Sequence, residues 1–310
     1  MSTPHDHARL WRALISLDGL SIGDAFGERF FLFTVTGVQR CLDLRVLPEA
    51  KRSIWLFTDD TQTALSLVEI LRRWGSIEQD MLAESFVAHY DATRAYGPNM
   101  HKLLCALRDG QENWRELTPA QFDGQGSYGN GAAMRVAPLG AYFADDLPRV
   151  VEQARLSAEV THSHPEGIAG AIAVAVAAAL AWQARQAHER PGRAEFIERV
   201  LPLVPTSTVQ RKLQRARDIA PHTPTETAAS MLGSGYQISA QDTVPFVLWC
   251  AVQYLDNYEE ALWQTASGLG DIDTTCAMVG GIVSLYTGVE QIPEQWSERR
   301  EALPTWALEG

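Results

Sequence analysis

The stretch Gly268-Leu269-Gly270-Asp271-Ile272-Asp273-Thr274-Thr275 leads directly into the small, apolar run Cys276 to Leu285. That run is uninterrupted by turn residues other than a glycine pair and reads as a buried helix. The two carboxylates and two hydroxyls therefore stand at its N-terminus, where unpaired backbone N–H groups and the helix dipole favour oxygen ligands and anions. Hard divalent cations prefer carboxylate, hydroxyl and water oxygens. Taken alone, the same residues also serve as ordinary helix caps and loop glycines.

A second stretch of the same kind changes the balance. Phe57-Thr58-Asp59-Asp60-Thr61-Gln62-Thr63 opens another helix, because Ala64, Leu65, Leu67, Val68, Ile70 and Leu71 follow in a dense apolar pattern. Two adjacent acids entering a buried helix repel each other unless a counter-charge is present. Four carboxylates and two threonines at two helix starts suit a shared two-metal site, in which the ions typically lie about 3.5–4 Å apart.

Working outward, nearly every periodic segment is helical. Leu10, Leu14, Leu17 and Leu20 fall on one helix face, ahead of the small-residue stretch Gly23-Asp24-Ala25-Phe26-Gly27-Glu28. Further helices are expected over 60–74, 77–92, 99–108, 146–160, 165–187, 193–201, 206–219, 224–232, 243–256, 257–267 and 274–288. Residues 132–143 read as a helix punctuated by Pro138. Phe30 to Val38 is rich in aromatic and β-branched residues and reads as a short strand or irregular excursion. Residues 109–130 read as a polar connection ending in a glycine-rich segment. No repeat of fixed period and no low-complexity linker appears. The expectation is one all-α domain over 1–310, a compact orthogonal helical bundle with a dinuclear metal cleft, with 1–9 and 290–310 peripheral.

Composition narrows the function classes. The chain has 310 residues, is 46% apolar and 21% charged, and has a formal net charge of -12. These values fit a globular protein and argue against a nucleic-acid surface, which needs a basic stripe. An acidic protein can still hold a phosphorylated ligand through metals and helix N-termini. Cys41, Cys105, Cys250 and Cys276 are scattered without CxxC spacing, which suits thiols in a reducing compartment. Ile168 to Trp182, the longest apolar run, is short of the roughly 20 residues of a membrane span and reads as a buried central helix. No secretory signal is visible. A cytoplasmic location without membrane partners is the expectation.

In order along the chain, Gly23-Asp24-Ala25-Phe26-Gly27, Thr58-Asp59-Asp60-Thr61, Gln121 to Arg135, Thr161-His162-Ser163-His164-Pro165, Gly233-Ser234-Gly235-Tyr236 and Gly270-Asp271-Ile272-Asp273-Thr274 resemble the ADP-ribosylglycohydrolase family, which includes the dinitrogenase reductase-activating glycohydrolase. The six stretches span about residues 20 to 288. The resemblance implies two magnesium ions (or manganese) held by Thr58, Asp59, Asp60, Asp271, Asp273 and Thr274. It implies an ADP-ribosyl substrate whose distal ribose lies over the ions. Gly126, Ser127, Tyr128, Gly129 and Asn130 would cradle phosphate or proximal ribose, Phe122 would face adenine, and His162, Tyr236, Gly268 and Gly270 would complete the pocket. The implied reaction is hydrolysis of the bond from ADP-ribose to a modified protein side chain, arginine first. Serine-linked or O-acetyl-ADP-ribose is the alternative, because Gln121 to Arg135 looks like members with oxygen-linked substrates. A further alternative is a non-catalytic ADP-ribose binder, or a partner that blocks an ADP-ribosyltransferase toxin.

One departure concerns the catalytic acid. Many members carry a glutamate eight residues after the glycine of the Gly-Asp pair, where this chain has Phe31. Glu28 is the nearest acid and the expected replacement, with Asp60 as the second catalytic candidate.

Overall fold

The computed structural model describes residues 4–47, 54–110 and 113–308. The expected peripheral termini therefore extend past the described residues at 1–3 and 309–310. Among the described residues the chain is helical throughout, with isolated backbone bridges at Trp55–Arg300 and Gly129–Ser239 in place of a sheet. The all-α expectation holds.

Two helices set the frame. The N-terminal helix, Pro4–Glu28, lies along Ile272–Thr287, the helix that follows the second acidic stretch. Glycines bring their backbones together. A methyl group at Gly19 would lie 2.5 Å from the Gly280 carbonyl oxygen, one at Gly23 would lie 2.2 Å from that of Cys276, and one at Gly27 would lie 2.5 Å from the Asp273 Cα. Real side chains do not tolerate such approaches, so this four-residue glycine spacing is what allows the contact. It fixes Asp24 and Asp273 at the same end of the pair.

The Pro165–Ala187 helix runs through the centre and contacts Ala137–Tyr142, Leu147–Glu159, Ala240–Gln253 and Ile272–Thr287. Its length and composition would suffice to cross a membrane, but 89% of its most apolar stretch is buried inside the protein. Alanines and glycines line it, so its neighbours approach closely on every side. Below the acidic end, Phe26 anchors an aromatic cluster: its ring stacks on Trp296 at 4.6 Å and meets Trp263 edge-on at 5.0 Å. The 290–310 segment, expected at the periphery, thus places Trp296 and Ala307 in the core.

Two local expectations are corrected. Residues 30–38 form no strand: Arg29–Leu32 is a short 3-10 turn and Val35–Leu44 an α-helix, capped by the Thr34 hydroxyl accepting from Gly37 N–H. The aromatic residues there are not sheet residues. Phe30 joins the core, while Phe31 and Leu32 are exposed. Within the polar connection 109–130, Trp114–Gly124 is helical until Gln121, with the Asn113 side chain as its cap. Trp114 and Thr118 bury one face, and Pro119 sits in its interior. The 132–143 region breaks into Gly131–Met134 and Ala137–Tyr142, the second starting around Pro138. All four cysteines are free thiols.

Candidate active site

The first acidic stretch begins the Asp59–Trp74 helix, and a single buried carboxylate organises it. Asp24, fully buried, accepts from Thr58 N–H at 3.0 Å, Thr58 Oγ1 at 2.9 Å, Thr61 N–H at 3.1 Å and Thr61 Oγ1 at 2.5 Å. It satisfies N–H groups that a helix start leaves open. From the sequence Asp24 carries no assigned role; an acid set among Ile22, Gly23, Ala25, Phe26 and Gly27 was the available signal.

The second acidic stretch meets the first. The Thr274 hydroxyl donates to Asp60 Oδ2 at 3.3 Å, and Thr58 Oγ1, whose proton goes to Asp24, stands 3.1 Å from the same oxygen. Asp273 Oδ1 accepts from Thr274 N–H at 2.8 Å, and Asp271 Oδ2 accepts from Asn130 Nδ2 at 2.7 Å. A tight turn supports the loop: Gly270 has φ +78°, and a Cβ there would meet the Ser234 carbonyl oxygen at 2.2 Å.

Crowding raises the proton affinity of all these acids. Burial, then the charge of Asp24, pushes Asp59 up to about 8. Burial pushes Asp24 up to about 6 against the hydrogen bonds from Thr61 and Thr58. Asp60 and Asp273 are raised well above the usual carboxylate range, first by burial and then by neighbouring acids, and Asp271 is raised by burial.

The donor set fits hard divalent ions. Asp60 Oδ1 is buried with no hydrogen-bond partner among the described residues, and after burial the charges of Asp24, Asp273, Asp59 and Asp271 all raise the proton affinity of this carboxylate. Among the described residues, no three carboxylate, imidazole or thiol groups already surround one point. Threonine hydroxyls and water would therefore share the coordination, as magnesium commonly requires.

The acids end a cleft of about 360 Å³, lined at that end by Asp59, Asp271, Asp273 and Thr274. Asp60 and Thr58 lie beneath this surface. Ser127, Tyr128, Gly129, Asn130, His162 and Phe122, the residues proposed from the resemblance to contact substrate, line the cleft. Phe122 and Tyr128 form a half-exposed pair at its mouth, with ring centroids 5.5 Å apart. Phe122, Asp123, Ala95 and Ile238 all have left-handed backbone, with φ between 50° and 61°. For Ile238, a β-branched residue, this conformation is strained, and such strain concentrates at ligand sites.

Four expected pocket residues fall elsewhere. Tyr236 is 72% exposed, and its neighbours Gln237 and Ile238 line the cleft instead. Gly268 packs on Phe246, Gly270 supports the acidic turn, and Gly126 packs against Ser163. Glu28 does not line the cleft. It leaves the N-terminal helix one residue after Gly27, which rests on Asp273, and burial followed by the Asp24 charge raises its proton affinity. Arg135, wholly buried beside the cleft, was not anticipated.

Comparison with known proteins accounts for this arrangement. Residues 5–309 match the family model described as ADP-ribosylglycohydrolase. Human ADP-ribosylhydrolase ARH3 is 31% identical over 274 residues, 79% of this chain and 74% of the relative. The uncharacterized protein YegU of Escherichia coli K12 is 28% identical over 91% of this chain and 89% of its own. A solved structure described as an ADP-ribosylglycohydrolase-related protein complex shares the fold, with a TM-score of 0.55 at 21% identity, covering 95% of this chain and 94% of that one. With the family's motifs in order along nearly the whole chain, this protein belongs to the ADP-ribosylglycohydrolase family, whose members are glycosyl hydrolases.

Proposed function

We propose that this protein hydrolyses the bond between the anomeric carbon of ADP-ribose and a protein side chain, with the nucleotide lying along the cleft. The observation that carries the reading is the junction of the two acidic helix starts through Thr274 and Asp60, at one end of a cleft whose mouth is an aromatic pair. A flat base suits the Phe122–Tyr128 mouth, since aromatic stacking tolerates partial exposure. The Ser127 and Tyr128 hydroxyls, with His162, line the cleft between the two ends, where phosphates and the proximal ribose would lie.

Divalent ions held by Asp59, Asp60, Asp271, Asp273, Thr58 and Thr274 would orient the distal ribose and lower the pKa of a bound water. Asn130 holds Asp271 in place through its amide. Glu28, beside Asp273 and with raised proton affinity, is the proposed acid–base group. A glutamate moved toward neutrality suits proton transfer in a glycosidic cleavage with oxocarbenium character. Asp60 is the second carboxylate, its free Oδ1 turned to ion binding.

The proposed linkage is to oxygen, as in serine, ahead of arginine. The Gln121 to Arg135 stretch supports it, because it resembles members with oxygen-linked substrates and here lines the cleft from Phe122 to Arg135. The test is release of free ADP-ribose from serine-linked and arginine-linked peptides, with magnesium or with chelator. Magnesium-dependent release from the serine peptide is expected. Faster release from arginine would overturn the linkage, and release from neither would sink the reading.

A further inference from the structure

Arg135 is fully buried, and although the Asp59 charge acts on it, its guanidinium forms no ion pair with a carboxylate among the described residues. Nη1 donates to the Gly131 carbonyl at 3.2 Å, and Nη2 donates to the Ser157 carbonyl at 3.1 Å and to Thr161 Oγ1 at 2.8 Å. Its planar group sits over the Phe86 ring at 4.6 Å. Burial lowers its proton affinity to about 9, so it remains charged at neutral pH.

A guanidinium can only donate. Thr161 Oγ1 must therefore accept from it, and the single proton of that buried hydroxyl needs an acceptor of its own. His162 Nδ1 stands 2.7 Å away and is the sole acceptor recorded for it among the described residues. If Nδ1 carried the ring proton instead, the threonine proton would be buried without a partner, which proteins avoid. Burial and then the Arg135 charge lower the His162 affinity for a second proton to about 3. The opposite ring nitrogen, Nε2, has no partner among the described residues, and the ring lines the cleft. Nothing blocks that edge because residues 129 and 131 are glycines; a Cβ would lie 3.2 Å from Nε2 at the first and 2.9 Å at the second.

We propose that Arg135 is a positioning residue that acts through its neighbour: it commits the Thr161 hydroxyl to donate to His162 Nδ1, which leaves His162 presenting Nε2–H to the cleft as a fixed donor. The ring then selects for an acceptor oxygen, a phosphate or ribose oxygen of the ligand. Only the identity of that oxygen rests on the ADP-ribosyl reading.

Long-range ¹H–¹⁵N correlation spectra of the imidazole nitrogens test the arrangement in the ligand-free protein, with His162→Gln identifying the His162 signals. Nε2 should carry the proton and Nδ1 should not. Thr161→Val, which keeps the shape and removes the hydroxyl, should give a mixture of tautomers and weaken ADP-ribose binding about tenfold in calorimetry. Thr161→Ser should restore both. A wild-type ring protonated on Nδ1 overturns the proposal, as does an unchanged tautomer in Thr161→Val. Wild-type protein that shows the Nε2–H form but binds no ADP-ribose would instead count against the proposed function.

Discussion

Thr274 donates its hydroxyl proton to Asp60 across 3.3 Å, although 214 positions separate the two residues in the chain. Through this contact the two acidic helix starts become one surface, and their mutual repulsion becomes a property of the folded state. Replacing Asp273 by Asn should abolish turnover by removing a proposed ion ligand. In chelator the same variant should melt higher than the parent, by about 2 °C or more, because a buried like charge is gone. Calorimetric melts with and without magnesium check this; a variant that melts lower in chelator contradicts it.

The raised acids also set a pH dependence. A carboxyl whose folded pKa lies above its unfolded value holds its proton more tightly when folded, so its contribution is full at low pH and declines as pH rises through the folded value. For Asp24 at about 6 and Asp59 at about 8, ion-free stability should fall from about pH 4 to about pH 8. Magnesium bound at the proposed site would replace those protons, so its apparent affinity should rise over the same interval and flatten the loss. Thermal melts at pH 5, 6, 7 and 8 in chelator and in magnesium measure both trends.

Phe122→Ala should weaken ADP-ribose binding about tenfold or more while leaving kcat within a few-fold, as expected when base stacking of ~1–3 kcal/mol is removed. Calorimetry and steady-state kinetics separate the two quantities. A kcat loss with unchanged affinity would move Phe122 out of the proposed base contact.

Glu28→Gln should lower kcat by about 100-fold or more with little change in KM, the scale of general acid–base catalysis. Loss of less than threefold would assign proton transfer to another carboxylate. Folding is checked by far-UV circular dichroism, since Glu28 is half-buried and the substitution keeps its shape.

Gly23→Ala tests the close approach of the two framing helices. Its new methyl would lie 2.2 Å from the Cys276 carbonyl oxygen, backbone that cannot swing aside. A stability loss of about 3 kcal/mol or more is expected from urea unfolding, at or above the usual overpacking range.

Much of the fold is legible in the sequence, because the helices bury continuous apolar faces and the acidic stretches sit at their starts. What escaped was fixed by partners far away in sequence. Phe30 to Leu32 carry strand-forming residues, but Phe30 is drawn into the aromatic cluster around Phe26 and the chain turns helical. Trp114–Gly124 falls inside the polar stretch that reads as a connection; burial of Trp114, whose indole donates to Asp80 at 2.9 Å, supplies what local propensity lacks. Asp24 and Arg135 were invisible as organisers because their importance lies in donors and acceptors brought to them from positions 58, 61, 131, 157 and 161. Tyr236, expected in the pocket, is exposed, while the next two residues, Gln237 and the left-handed Ile238, line the cleft.

Glu301 reaches back to accept from the Phe57 N–H at 2.8 Å, and its own N–H donates to Trp55 O at 2.9 Å, just ahead of the first acidic stretch. A ribosome making this protein therefore releases the Thr58–Asp60 segment long before the residues that brace it exist. The floor of the proposed site is braced only once position 301 has emerged, so a polypeptide interrupted before Glu301 would leave its anionic knot without a buttress.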